Sequence, residues 1–245
     1  ALPRSIDVEL LPGIRAQLDT HDATQRGTYW QGSRFEHPTA GVLKDWSAQP
    51  GAVFFDMGSN YGWFSFFLAS ELPGLPIYPF EPNPPTFDRL RTIVERNALR
   101  NIHPCNFGLG DRAMTSRLRI GVEDSGHSTF GPHPGLSEQN SVEVAVRPFD
   151  EWRRESGMAL PVSSAWVAKI DVEGFECRVI AGMREALEAR AFRGLAIEVN
   201  PYTLEFCGDS QEKLSGLLKD LGYVEREPAF PGQHLQMNKF FVPCA

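Results

Sequence analysis

The chain has 245 residues, 42% of them hydrophobic and 22% charged, which suits one sizeable α/β domain and is too short for two comfortable ones. A net charge of -7 argues against a large nucleic-acid footprint, leaving room only for a local basic patch, and no run approaches the roughly 18 apolar residues of a membrane span. Cys105, Cys177, Cys207 and Cys244 are scattered without a C-x-x-C, and the start lacks a signal-peptide pattern, so free thiols and a cytoplasmic setting are expected rather than a zinc site or a disulfide framework.

Residues 1–49 carry the weakest signal. Asp19 to Ser33 is polar, Gly27 and Gly32 break any long helix, and Tyr29, Trp30 and Phe35 bring in aromatics, so a loop or short helices are expected. Val42 to Trp46 reads as a helix end, and Pro50-Gly51 marks the entry into Ala52 to Phe55, an apolar run of the kind found in buried parallel strands. Asp56 closes that run. Gly58, Asn60 and Gly62 then alternate with Met57, Ser59 and Tyr61, which predicts a tight turn that brings bare backbone close to a ligand. Trp63 to Leu68 continues as a helix apolar almost all round, hence buried. The spacing Asp-x-Gly-x-Asn-x-Gly is not the dinucleotide fingerprint, which needs Gly-x-Gly-x-x-Gly. An acidic strand end followed by alternate glycines suits a ligand with a positive charge and an amino acid group. The alternative is a strand-to-helix turn that merely needs glycines.

Ile77 to Phe80 is the second strand. It ends in Glu81, in the window roughly 20 residues past a glycine turn where a carboxylate grips a ribose diol. A surface residue or helix cap is the alternative. Asn83-Pro84-Pro85 opens a helix whose Phe87, Leu90, Ile93 and Val94 recur at helical spacing up to about Asn97. Ile102 to Asn106 is a third strand, followed by the loop from Asn106 to Asp111. Thr115 to Gly121 and Ser141 to Val146 alternate apolar and polar residues and predict an inserted antiparallel pair. Between them Val122 to Asn140 is long for a loop in a compact domain and holds His127, Ser128, Thr129 and His133, so it is expected to help form an acceptor pocket. Ala165 to Ile170 and Gly194 to Val199 are the last core strands. Leu204 to Leu221 is mostly helical, with a break around Gly208. Tyr223 to Arg226 and Lys239 to Val242 close the chain around a turn at Pro228 to Gln233. Strands alternating with helices predict a parallel sheet covered on both faces.

The densest charged cluster is Lys169-Ile170-Asp171-Val172-Glu173-Gly174-Phe175-Glu176, at a strand end. Period-2 alternation puts Lys169 and Asp171 on one face. Asp171 is expected at the mouth of the cleft and Glu173 in the loop; alternatively both cap the next helix and Glu176 complements its dipole. Glu198 and Asn200 share one face at the end of the neighbouring strand. Asp171, Glu198 and Asn200 carry the oxygen ligands that suit Mg²⁺ or another hard divalent cation, the alternative being a hydrogen-bond network between two loops. No histidine pair has zinc spacing. His127 is the best histidine base because of its loop, against the reading of an ordinary exposed side chain.

The pieces VFFDMGSNYGWFSFFLA, YPFEPNPPTFDRLRTIVERN, NFGLGD, VRPFDEW and WVAKIDVEGFECRVIAGM resemble, in order, the FkbM family of S-adenosylmethionine-dependent methyltransferases. With the weaker IEVNP and RFEHP, the resemblance covers most of the chain, and Glu36 of RFEHP looks like a family position. It implies a single Rossmann-like class I methyltransferase domain with an antiparallel last strand. Residues 1–49 would form a cover segment and 50–245 the core, with a β insertion at about 113–147. It further implies transfer to a hydroxyl oxygen of a small molecule such as a sugar, glycolipid or polyketide. Asp56, Gly58, Ser59, Asn60 and Gly62 would hold the amino acid end of S-adenosylmethionine, Glu81 its ribose, and the Asn106 loop would lie near the adenine. Asp171, with Glu173, Glu198 or His127, would handle the acceptor. The rivals are a nicotinamide-dependent oxidoreductase and a non-catalytic S-adenosylmethionine-binding module.

Overall fold

The computed structural model describes residues 3–121, 123–161, 163–227 and 237–244. The chain opens with an antiparallel hairpin, β1 (Ser5–Leu11) and β2 (Ile14–Asp19), followed by α1 (Ala23–Gln31) and α2 (His37–Ser47). The helices match the expectation for this segment; the hairpin corrects it. Its cause was present in the sequence. Ile14, Ala16 and Leu18 are buried and alternate with exposed Arg15 and Gln17, and Pro12-Gly13 is the turn.

Next come β3 (Val53–Met57), α3 (Trp63–Glu71), β4 (Ile77–Phe80) and α4 (Pro84–Arg96). A short β5 (Gly108–Leu109) leads to β6 (Met114–Arg119) and β7 (Ser141–Arg147), which pair antiparallel as their alternation predicts. β5 runs parallel to β7, making a separate three-stranded sheet. The chain continues through α5 (Phe149–Glu155), β8 (Trp166–Ile170), α6 (Glu176–Gly182), α7 (Arg184–Glu188) and β9 (Phe192–Glu198). It ends with α8 (Pro201–Phe206), α9 (Gln211–Asp220), β10 (Tyr223–Glu225) and β11 (Asn238–Pro243). The turn expected at Pro228 to Gln233 lies outside the described residues.

The main sheet has the order β10-β11-β9-β8-β3-β4. β4, β3, β8 and β9 are parallel, and β11 is antiparallel to both its neighbours. Ile102 and Cys105 bridge to β4 in parallel, so the expected third strand is present as an irregular edge. The sheet is mostly parallel with an antiparallel last strand, as the family resemblance implies. Alternation within the buried strands divides the core. Phe55, Trp166, Ala168, Ile170, Leu195 and Ile197 pack on one face, and Phe54, Val167 and Ala196 on the other, with α3 and the hairpin. Lys169 continues the second face within β8, and Asp171 lies just past the strand's end.

Candidate active site

One cavity of about 230 Å³ lies at the C-terminal ends of β3, β4, β8 and β9. The chain leaves β3 for β4 on one side while β8 lies on the other, so this is a topological switch point, where open α/β sheets bind ligands. Its walls are the turn after β3, Glu81, the loop after β8, the end of β9, the 3₁₀ turn at Ser125–His127, and Thr24, Phe35 and Glu36 from the N-terminal segment.

The glycine turn is built from backbone. Gly58 has φ +80°, and a Cβ placed on it would stand 1.8 Å from the carbonyl oxygen of Asp171. Only glycine fits that approach. The amides of Gly58 and Ser59 both donate to the Phe80 carbonyl at 3.0 Å, tying the turn to the end of β4. Asn60, at φ +51°, donates its amide to Glu81 Oε2 at 2.9 Å, and Asn83 donates to Glu81 Oε1 at 2.8 Å. Gly62, at φ +97°, turns the chain into α3. Burial pushes the Glu81 carboxyl up to about 7, against the two amides that favour its charged form. Glu81 lines the cavity with oxygen lone pairs to spare, as an acceptor for a diol requires. Ser59 also lines it, and its buried Oγ has no hydrogen-bond partner. A turn that admits no side chain at Gly58, a carboxylate and an orphaned hydroxyl together fit the amino acid and ribose parts of S-adenosylmethionine.

Two of the residues expected at the cofactor are placed otherwise. Asp56 is 1% exposed, and its Oδ2 accepts from the Ser65 hydroxyl (2.6 Å) and amide (3.2 Å), pinning the first turns of α3 to β3. Asn106 donates to the carbonyl of Glu81 at 2.8 Å and so braces the end of β4. Neither belongs to the cavity lining. Asp56 supports the turn and Asn106 the strand end.

The opposite wall is built from charge. Lys169 is 1% exposed, with its Nζ 3.0 Å from Asp171 Oδ2, 3.7 Å from Glu198 Oε2 and 5.4 Å from the Phe64 ring centre. Burial alone would lower its pKa, but the charges of Asp171, Glu198 and Glu36 overcome that and hold it above the ordinary lysine value. Carboxylate oxygens of Asp171, Glu173 and Glu198 all come within 4.8 Å of one another. Burial and the charges of Asp171 and Glu198 push Glu173 up to about 9; the Asp171 charge and burial push Glu198 up to about 8. Glu173 takes φ +49°, and its carbonyl accepts from the Thr129 hydroxyl at 2.6 Å.

Asn200 is not part of this group: its Oδ1 caps α8 by accepting from the Tyr202 amide. The three carboxylates that cluster are therefore Asp171, Glu173 and Glu198, not the set with Asn200 that strand alternation suggested. Glu176 braces the loop after β8 rather than only complementing the dipole of its helix: its Oε1 accepts from the amides of Val172 and Gly174. His127 lines the cavity, 3.8 Å from Asp124. Its turn is latched to the glycine turn by the Ser125 hydroxyl, which donates to Asn60 Oδ1 at 3.0 Å. His133 packs edge-on against Phe206 and does not line the cavity.

The sequence reading missed Thr24 and Phe35 as lining residues, and the latch of the N-terminal segment, whereas Glu36, singled out there in RFEHP, does line the cavity. Thr24 donates to Asp124 Oδ1 at 2.6 Å, and Asp22 Oδ2 accepts from the Ser125 amide at 3.0 Å, so α1 and the loop close the site together. The available signal was Asp22 followed by Ala-Thr-Gln, an N-cap preceding a helix; its Oδ1 accepts from the Gln25 amide.

The chain matches the Methyltransferase FkbM domain family over residues 56–225. It is similar to the hexuronic acid methyltransferase AglP of Haloferax volcanii, 34% identical over 145 residues, 59% of this chain and 55% of that protein. The 31-O-demethyl-FK506 methyltransferase FkbM of Streptomyces tacrolimicus is 25% identical over 218 residues, 76% of this chain and 79% of that protein. The 2-O-methyltransferase NoeI of Sinorhizobium fredii is 29% identical over 164 residues, 59% of this chain and 62% of that protein. The matched parts therefore span from about half to about four fifths of these relatives. On the match that runs from the glycine turn to the last strands of the sheet, the chain belongs to the FkbM methyltransferase domain family.

Proposed function

We propose that this chain is an S-adenosylmethionine-dependent O-methyltransferase acting on a hydroxyl of a small molecule such as a sugar, glycolipid or polyketide. The observation that carries the reading is that the glycine turn, Glu81 and the Asp171–Glu173–Glu198 cluster all face one cavity. Methyltransferase names among the relatives agree with it. Gly58, Ser59 and Asn60 form the cradle for the amino acid end, with Gly62 turning the chain into α3 behind it and Asp56 holding it from beneath, and Glu81 takes the ribose hydroxyls. S-adenosylmethionine, when bound, supplies a methyl group already activated by its sulfonium charge. The protein's remaining tasks are to align the acceptor, exclude water and accept the hydroxyl proton. Asp171 is the base in this reading, oriented by Lys169; Glu173 and Glu198 hold the acceptor, and His127 on the facing loop is the second candidate for the proton.

Residues 1–49 act as a cover over the 50–245 core, since Thr24, Phe35 and Glu36 line the cavity; the insertion at about 113–147 supplies the facing loop. The Asp171, Glu173 and Glu198 oxygens are close enough for a hard divalent cation. Asp171 and Glu198 already face the Lys169 ammonium, however, so the reaction is read here without one. A cytoplasmic setting fits the four free cysteines. No helix among the described residues is long and apolar enough to cross a membrane.

The test is thermal unfolding with S-adenosylhomocysteine and, separately, NAD. Binding to the folded state alone raises the melting temperature. The proposal expects a rise with S-adenosylhomocysteine and none with NAD; the reverse pattern would make the chain a nicotinamide-dependent enzyme.

A further inference from the structure

The 3₁₀ turn at Ser125–His127 is fastened by hydrogen bonds rather than by packing. Residues 123–128 read Glu-Asp-Ser-Gly-His-Ser, without one apolar side chain, and none of them is buried. Their base is fixed. Arg119 and buried Thr129 exchange backbone hydrogen bonds of 2.9 and 3.0 Å, and the Thr129 hydroxyl is tied to the Glu173 carbonyl. Away from that base the turn fastens to α1 and to the glycine turn. The Ala23 amide donates to the Glu123 carbonyl at 2.8 Å, the Thr24 hydroxyl holds Asp124, and Asp22 Oδ2 holds the Ser125 amide. The Ser125 hydroxyl reaches Asn60 in the cradle. α1 itself is anchored: its buried Thr28 accepts from the Tyr61 hydroxyl at 2.5 Å, and Arg89 of α4 donates to its Gln25 at 2.6 Å. A segment with no buried apolar surface, held to fixed neighbours by a few hydrogen bonds, opens locally at far lower cost than the domain unfolds.

We propose that residues 123–128 are a flap over the cofactor cradle, latched to α1 through Asp124 and Ser125 and to Asn60 through Ser125, and that the methyl donor enters and its product leaves only when this latch opens. The inference rests on the cofactor reading above and adds a motion that reading does not require. Residues 124–128 line the same cavity as Gly58, Ser59 and Asn60, so a ligand in the cradle lies against the turn. Asn60 joins the two, since it lines the cavity while its Oδ1 accepts from the Ser125 hydroxyl at 3.0 Å and from the Tyr61 amide at 2.7 Å. The latch is made between protein groups, so it re-forms over a bound ligand. Opening then sets the association and the dissociation rate alike, and the closed flap keeps water from the methyl group.

Stopped-flow binding of S-adenosylhomocysteine to the intact chain tests this without an acceptor, followed by tryptophan fluorescence because Trp63 lines the cavity. The observed rate should level off with ligand concentration at the rate of opening. Asp22 lies outside the cavity lining, and Asp22→Asn keeps one oxygen to cap α1 at Gln25 while giving up the acceptor for the Ser125 amide. It should raise the plateau and the dissociation rate together by about 10-fold, with affinity changed far less. A second variant locks the flap. A Cβ on Gly126 would stand 2.9 Å from Thr24 Oγ1, close enough for a disulfide in Thr24→Cys/Gly126→Cys. Once oxidised, this variant should neither take up nor release the ligand, and reduction should restore both; oxidised wild type is the control for the native cysteines. An unchanged association rate in Asp22→Asn, or a disulfide-bonded variant that exchanges ligand as fast as its reduced form, would overturn the inference while leaving the cofactor reading intact. No binding by the wild type would overturn that reading and the inference with it. The Asp22→Asn rates decide the matter even if the double variant fails to fold.

Discussion

The two ends of the cavity are made of different materials. At the glycine end the shape comes from backbone: positive φ at Gly58, Asn60 and Gly62, and amides that donate to Phe80 and Glu81. At the acid end it comes from side-chain charge, with three clustered carboxylates, two of them paired with one buried ammonium, and a loop tied to Glu173 by the Thr129 hydroxyl. Backbone contacts tolerate no added atoms and are nearly indifferent to charge. Charge contacts tolerate isosteric change of shape and are sensitive to a single proton. Mutations should therefore separate the two ends by the kind of change that hurts.

The largest effect is expected at Gly58. A methyl group there meets the Asp171 carbonyl at 1.8 Å and must also accept φ +80°, so β3 and β8 have to part at the site. Gly58→Ala should cost about 3 kcal/mol or more of stability and abolish S-adenosylhomocysteine binding. Chemical denaturation and calorimetry read both. A stable variant that still binds would show that the turn does not need its tight approach to the loop after β8.

Glu81 belongs to the glycine end even though it is charged. Glu81→Ala should lower cofactor affinity by about 2–4 kcal/mol if its carboxylate takes both ribose hydroxyls. It also strips the Asn60 and Asn83 amides of their acceptor, so about 1–3 kcal/mol of stability should go with it. Glu81→Gln, which can still accept from at least one amide, should recover much of the stability and less of the affinity. Unchanged affinity in Glu81→Ala would remove this residue from the site.

Asp171 gives the opposite pattern. Asp171→Asn keeps size and hydrogen bonding, so the fold and S-adenosylhomocysteine affinity should survive while turnover drops by about 10²-fold or more. Near-normal turnover with the true acceptor would leave Asp171 as a structural partner of Lys169. EDTA adds a second reading of the same wall: the account expects activity to withstand it, and loss with recovery on adding Mg²⁺ would move Asp171, Glu173 and Glu198 into a metal site.

The smallest effect is on stability against pH. Glu173 and Glu198 are held above the ordinary glutamate value when folded, so between about pH 4.5 and their folded values near 9 and 8 the folded chain binds protons that the unfolded chain has released. Their contribution is complete below that window and is lost as pH rises through it. Asp56, Glu81 and Glu176, also raised, act in the same sense at lower pH. The melting temperature should therefore fall from mildly acid to alkaline pH, less steeply in Glu173→Gln. An equal slope in that variant would mean that Glu173 titrates normally.

The same division explains what could be read in advance. Apolar runs such as Ala52 to Phe55 and Ala165 to Ile170 have no polar face, so their burial in a parallel sheet follows from composition alone. The glycine turn was legible because only certain residues reach its dihedral angles. Which polar groups remain free was not legible. Asp56, Asn106 and Asn200 all stand at the ends of strands, yet each is engaged by a local partner: Ser65, the Glu81 carbonyl and the Tyr202 amide. Alternation tells which face a side chain takes, not whether a helix start has already claimed it. Most of the N-terminal wall was hidden for another reason, since Thr24 and Phe35 reach the cavity only through long-range packing, and Glu36 stood out only through the RFEHP resemblance.

The most direct test is calorimetric titration of S-adenosylhomocysteine into Glu81→Ala and Asp171→Asn beside the wild type. The ligand is neutral at sulfur and shares its amino acid and ribose with the donor, so it reports the glycine end alone. The account predicts that affinity falls by about 30-fold or more in Glu81→Ala and stays close to wild type in Asp171→Asn. Affinity kept in Glu81→Ala and lost in Asp171→Asn would contradict it, by showing that the acid wall rather than the glycine end holds the cofactor.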